Sequence, residues 1–178
     1  MESSTRRRRR AVSTFVAGVG ASLLLTGCGF NMQTLQQYTP AHGVNVDLQA
    51  GEANRQLKVR NLLVVADEDG SGFVSASIVS PVADRLVKVE GNAHKMDNST
   101  GAPLNVSGSA VTLEANRLAV LTDPQAAFTV TSPDLKPGLT VDLTLTFASG
   151  LQASAIAPVM SAEDPIYAEI SASPRPTS

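Results

Sequence analysis

Val141-Asp142-Leu143-Thr144-Leu145-Thr146-Phe147 alternates apolar and polar residues without a break over seven positions. Side chains on a β-strand point to opposite faces with a period of two, so such a run sits half in a core and half outside it. Ala148-Ser149-Gly150 then turns the chain into a second strand-like stretch, Leu151 to Val159, and the two read as a hairpin. Shorter segments of the same kind come earlier. Val44, Val46 and Leu48 alternate with Asn45 and Asp47. Leu57 to Ala66 ends in a continuous apolar stretch before the acidic turn Asp67-Glu68-Asp69-Gly70. Phe73 to Ser80 stops at Pro81, and Arg85 to Glu90 alternates again. Val111 to Leu113, Leu118 to Leu121 and Ala127 to Val130 complete the set. Eight or nine strands at this spacing, with no helical period between them, predict an all-β fold, an antiparallel Greek-key β-sandwich.

What fills that sandwich is also set by composition. There is no Trp, and the only phenylalanines within the expected domain are Phe73, Phe128 and Phe147, so Val, Leu, Ile and Ala carry the core. β-Branched residues pack well on a pleated surface, which agrees with strands. A single cysteine, Cys28, leaves no intramolecular disulfide to make, so folding rests on apolar burial.

Cys28 itself belongs to the leader. Arg6 to Arg10 form a positive start, Ala11 to Leu25 an apolar run, and Leu25-Thr26-Gly27-Cys28 closes the segment. The run is shorter than the roughly 20 apolar residues of a spanning helix, and Gly18 and Gly20 loosen it. The tetrapeptide resembles the lipobox of bacterial lipoproteins at all four positions. That resemblance implies acylation of the Cys28 thiol and cleavage before it; the alternative is an ordinary secreted protein with an incidental cysteine. Export by either the general or the twin-arginine route is open. The expected organisation is a signal peptide over 1–27, a lipidated cysteine and flexible tether over 28–43, the β-sandwich over 44–160, and a mostly disordered extension over 161–178.

Removing the leader takes away a net charge of +4 and leaves the mature chain at -6. Its nine basic residues are scattered, which argues against a nucleic-acid partner. They form no polybasic surface for anionic lipid either, so attachment to the membrane falls to the acyl chains, two or three of which hold stably where one does not.

Several pieces taken in order resemble the periplasmic copper chaperone family PCu(A)C, in particular its lipid-anchored actinobacterial branch. They are Gly72 to Ser80 followed by Asp84-Arg85-Leu86-Val87, then Val111-Thr112-Leu113-Glu114, Leu118 to Leu121, the loop Leu135-Lys136-Pro137-Gly138, and Val141 to Phe147. The resemblance covers about residues 44–159 and implies a cupredoxin-like sandwich that carries Cu(I). It also implies an anchored position on the outer leaflet of the cytoplasmic membrane. The family holds Cu(I) with a histidine, a methionine some ten residues on, and a later H-x-M pair; soft thioether and imidazole donors suit this ion. Here the strand that should bear H-x-M reads Leu118-Ala119-Val120, and no Met lies between Met96 and Met160. His94 and Met96 remain, two residues apart, on one side of the chain if it is extended. They are the candidate ligands, with His42 and Met160 as distant recruits. The competing reading puts His94 and Met96 on an exposed loop between Gly91 and Gly101.

Enzyme chemistry finds no support. There is no G-x-S-x-G elbow, and neither histidine stands in a pattern that couples a base to an acid. The acidic run 67–70 lacks the ligand spacing of a calcium loop and reads as a hairpin turn. Asn98-Ser99-Thr100 and Asn105-Val106-Ser107 are formal glycosylation sequons, a pathway a bacterial lipoprotein does not ordinarily use. Two function classes follow: an envelope-anchored domain that binds or delivers copper weakly, and a metal-free interaction module for another envelope protein on the same fold.

Overall fold

In the computed structural model, which describes residues 41–50, 55–122 and 128–171, the alternation over 141–147 becomes all but the first residue of an eight-residue strand. Eleven strands occur among the described residues: β1 (Val44–Gln49), β2 (Gln56–Ala66), β3 (Ser71–Val79), β4 (Asp84–His94), β5 (Thr100–Pro103), β6 (Asn105–Ser107), β7 (Val111–Leu113), β8 (Leu118–Val120), β9 (Phe128–Thr131), β10 (Thr140–Phe147) and β11 (Gln152–Ser161). They form two layers. One has β4 and β10 at its centre with β5, β7 and the first part of β11; the other has β2 and β3 at its centre with β1, β9, β6 and β8. The connections from β3 to β4 and from β9 to β10 cross between layers.

Two features exceed the expectation of eight or nine antiparallel strands. The polar stretch after His94 is not all loop, because Thr100–Pro103 pairs with β4 and Asn105–Ser107 pairs with β9. In addition, the end of β11 leaves β10 and runs parallel to β2, with Val159 opposite Val64 and Ser161 opposite Ala66. Parallel neighbours need a long crossover, and here the whole of β3 to β10 serves as one.

The core follows from these registers. Val141, Leu143, Leu145 and Phe147 of β10 are buried, while Thr140, Asp142, Thr144 and Thr146 face outward. On β2 the inward set is Leu57 and Val59, then Leu62, Val64 and Ala66. The parity changes because Asn61 adopts a left-handed φ of 52° within an irregular stretch of the β2–β3 ladder, inserting one residue. Asn is the side chain best suited to that conformation after glycine.

The apolar run from Leu62 to Ala66 is thereby buried on both faces. Leu63 and Val65 turn outward and join Phe73, Ala162 and Tyr167 in a second cluster, under a short helix, α1, which the structure assigns to Pro165–Ser171. Asp164 caps this helix by accepting the Ile166 amide at 2.9 Å, and Pro165 opens it. The first part of the expected disordered extension is thus a capped helix; residues 172–178 lie outside the described residues, as do the leader and most of the tether. The acidic run 67–70 is the turn between β2 and β3, with Gly70 at φ 86° donating to the Asp67 carbonyl.

Leu145 is fully buried at the centre of β10, between β4 and β11. Leu145→Ala is expected to destabilise the domain by about 2–5 kcal/mol, read as a lower urea midpoint at unchanged slope.

Candidate functional site

The pairing of β10 with β4 decides the surroundings of His94. Asp142 lies opposite Asn92 and Val141 opposite Ala93, so Thr140 and Asp142, two residues apart on the outward face, flank the end of β4. Gly91 permits this close ladder: a Cβ there would stand 1.9 Å from the Asp142 carbonyl oxygen. His94 is 9% exposed, with Nε2 2.9 Å from Asp142 Oδ2 and Nδ1 2.8 Å from Thr140 Oγ1. In the neutral ring the consistent arrangement has Nε2–H donating to the carboxylate and Nδ1 accepting from the threonine hydroxyl. Both nitrogens are then occupied, and the lone pair a metal needs is engaged.

Met96 is elsewhere. The chain leaves the strand at Lys95 and closes a tight turn in which the Lys95 amide donates to the Ser99 carbonyl at 3.0 Å and the Asn98 amide to the Lys95 carbonyl at 2.9 Å. Asn98 takes a φ of 61°. Asp97 accepts from the Ser99 hydroxyl at 2.6 Å and the Ser99 amide at 3.0 Å, and these bonds, the hydroxyl's first, hold its carboxyl below the usual range. The extended geometry that would set His94 and Met96 side by side is replaced by this turn, and Met96 is 90% exposed. It lines an open hollow of about 470 Å³ with Lys95, Asp97, Asp134, Lys136 and Leu139. Lys136 donates from Nζ to the Glu68 carbonyl, and the two lysines of this hollow are balanced by Asp97 and Asp134.

The remaining donors are dispersed. His42 lies against α1, its Nδ1 2.7 Å from the Tyr167 hydroxyl, while the Gly43 amide donates to Asn61 Oδ1 at 2.8 Å. Met160 packs against the cluster under α1. Cys28 lies outside the described residues. Among the described residues no group of three or more His, Cys, Asp and Glu side chains could hold a metal ion. The donor set does not fit Cu(I), which calls for converging soft ligands.

Where the copper chaperone pattern calls for H-x-M, β8 carries Leu118 and Val120, 63% and 37% exposed, with Ala119 turned toward the core between them. They border a hollow of about 310 Å³ with Val111, Thr112, Glu114 and Arg117, where β7 and β8 approach each other. The Arg117 guanidinium donates to Glu114 Oε2 at 2.9 Å across its rim. Sequence reasoning missed Thr140 and Asp142 as the partners of His94. Their period-two spacing was visible, but the register that brings them to His94 was not.

The chain matches no family model and no curated protein. Among solved structures it is similar to a copper-bound PCuAC domain from PmoF2, at 16% identity and a TM-score of 0.43 over 65% of this chain and 98% of that one. It is also similar to an apo PCuAC domain from PmoF1, at 21% identity and a TM-score of 0.43 over 65% of this chain and 99% of that one.

Thr140→Val keeps the shape of the side chain and removes the hydroxyl, leaving His94 Nδ1 unpartnered at a buried position. A loss of about 1–3 kcal/mol in unfolding free energy is expected, measured by urea denaturation against the parent chain.

Proposed function

We propose that this chain is a lipid-anchored extracytoplasmic module that acts through protein contact at the cell envelope and does not retain copper. The observation that carries the reading is the state of His94, the one buried histidine on the β4–β10 face, whose two ring nitrogens are both engaged by Asp142 and Thr140. A copper carrier needs the opposite, an imidazole lone pair free to meet a thioether, and Met96 points into solvent on the far side of a turn. The surface that takes the place of the H-x-M pair carries exposed Leu118 and Val120 on an edge that no other described strand pairs with, the kind of feature through which β-domains recruit other chains.

Anchoring rests on the lipobox Leu25-Thr26-Gly27-Cys28 and places the domain outside the cytoplasm, on the outer leaflet of the cytoplasmic membrane in a single-membrane cell. Incorporation of labelled palmitate into the expressed chain, lost in Cys28→Ala, is the expected result. Incorporation that survives the substitution excludes Cys28 as the anchor.

Titration with Cu(I) against a competing chelator tests the other half. The expected outcome is no stoichiometric retention at micromolar copper. Stoichiometric retention abolished by His94→Ala combined with Met96→Ala overturns the reading and makes the chain a copper carrier.

A further inference from the structure

The hollow beside β8 has a chemistry that selects its occupant. The Leu121 amide donates to the Ala76 carbonyl at 2.9 Å, and Val120 lies opposite Ser77, so Leu121 and Ala76 form a hydrogen-bonded pair of the β3–β8 ladder. Such pairs alternate with non-bonded ones along an antiparallel ladder. Ala119 therefore bonds to β3, and the amides and carbonyls of Leu118 and Val120 point to the outer edge of β8. No strand among the described residues pairs with that edge.

This edge is complementary to itself. In an antiparallel pair centred on Ala119, Leu118 stands opposite Val120 of the second copy, and each of these facing pairs exchanges both of its backbone hydrogen bonds. The outward groups of both copies are then satisfied without a leftover. The two most exposed side chains of the strand meet as Leu–Val cross-strand neighbours on one face, a favourable pairing. Charge does not oppose the approach: the mature chain carries a net -6, but the rim of this patch holds one acid already paired with one base, Glu114 with Arg117. The edge of β6, at the far end of the same layer, offers exposed Asn105 and Ser107 instead.

Resting on the proposed role in protein contact, we infer that the partner at this surface is a second copy of the chain, joined through β8 in antiparallel register about Ala119. Two three-residue strands bury much less than the roughly 1,200–2,000 Å² of a free-standing interface. The pairing therefore depends on the raised effective concentration of chains tethered to one membrane.

The register gives the test. Facing residues of a hydrogen-bonded pair have Cα atoms about 5.5 Å apart, within disulfide reach, whereas two copies of position 118 are too far apart to bridge. Full-length chains bearing Leu118→Cys and Val120→Cys are purified from membranes, placed in phosphatidylcholine vesicles singly and as a mixture, and oxidised mildly. The unsubstituted chain controls for Cys28, and urea midpoints confirm that both variants fold. An inter-chain 118–120 disulfide in the mixture, about tenfold more abundant than the 118–118 or 120–120 disulfide of either variant alone, is expected, identified by mass after digestion. Equal cross-linking in all three samples, or none above the unsubstituted chain, overturns the pairing while leaving the protein-contact reading for a different partner. Retention of copper in the chelator titration would instead remove the reading beneath it.

Discussion

Strand β11 is the element on which the rest of the molecule depends. Over residues 152–158 it completes one layer by running antiparallel to β10, and over 159–161 it enters the other layer parallel to β2. One continuous backbone thus joins the two layers, and the inward residues Ala153, Ala157 and Val159 lie along the seam. Small residues there let the layers close, since a bulky side chain at the crossing would hold them apart. Immediately after the crossing, Ala162 donates its amide to the Ala66 carbonyl and Asp164 starts α1, so the same strand delivers the helix that covers Leu63, Val65 and Phe73. A core without Trp and with few Phe is thereby closed by placement of many aliphatic side chains on both faces of β2.

With β11 fixing β10, the register of β10 against β4 follows, and with it the chemistry available to His94. A histidine at a strand end beside two outward residues of the neighbouring strand meets whatever polar groups those residues carry. Here they are a carboxylate and a hydroxyl, which match the two nitrogens of an imidazole in number and in hydrogen-bonding sense. The result is a polar network that is satisfied internally. Only His94 of this network is buried, and its two bonds tie the end of β4 to β10.

How much of this could be read beforehand differs by element. The strand over 141–147 was legible because its alternation is strict and one face is buried. The apolar run 62–66 was legible as a strand, but its second buried face required α1, which lies about a hundred residues away in the chain. α1 itself is too short to show a helical period; its signal was only the Asp164-Pro165 start. β5 and β6 were hidden because their residues are polar and small, and they become strands by pairing with β4 and β9 rather than by any pattern of their own. For the site, the absence of H-x-M at Leu118-Ala119-Val120 was plain in the sequence. The fate of His94 was not, since its partners come from the β4–β10 register, which joins residues 46 and 48 positions apart in the chain.

The difference between a histidine that is present and one that is available also has a physical scale. To become a ligand, His94 must release the Thr140 hydroxyl or the Asp142 carboxylate, giving up a hydrogen bond worth about 1 kcal/mol net, although the half-exposed carboxylate then returns to water. To bring a thioether beside it, the Lys95–Ser99 turn must be undone so that the strand continues to Met96, which breaks the Asp97–Ser99 bonds and the backbone bonds that close the turn. Even then only two soft donors meet, fewer than a closed Cu(I) site requires. At β8 the balance runs the other way. Covering Leu118 and Val120 and satisfying their outward amides both lower the free energy, and neither requires any part of the fold to be taken apart. The strand addition proposed at β8 therefore asks less of the fold than a metal site at His94 does.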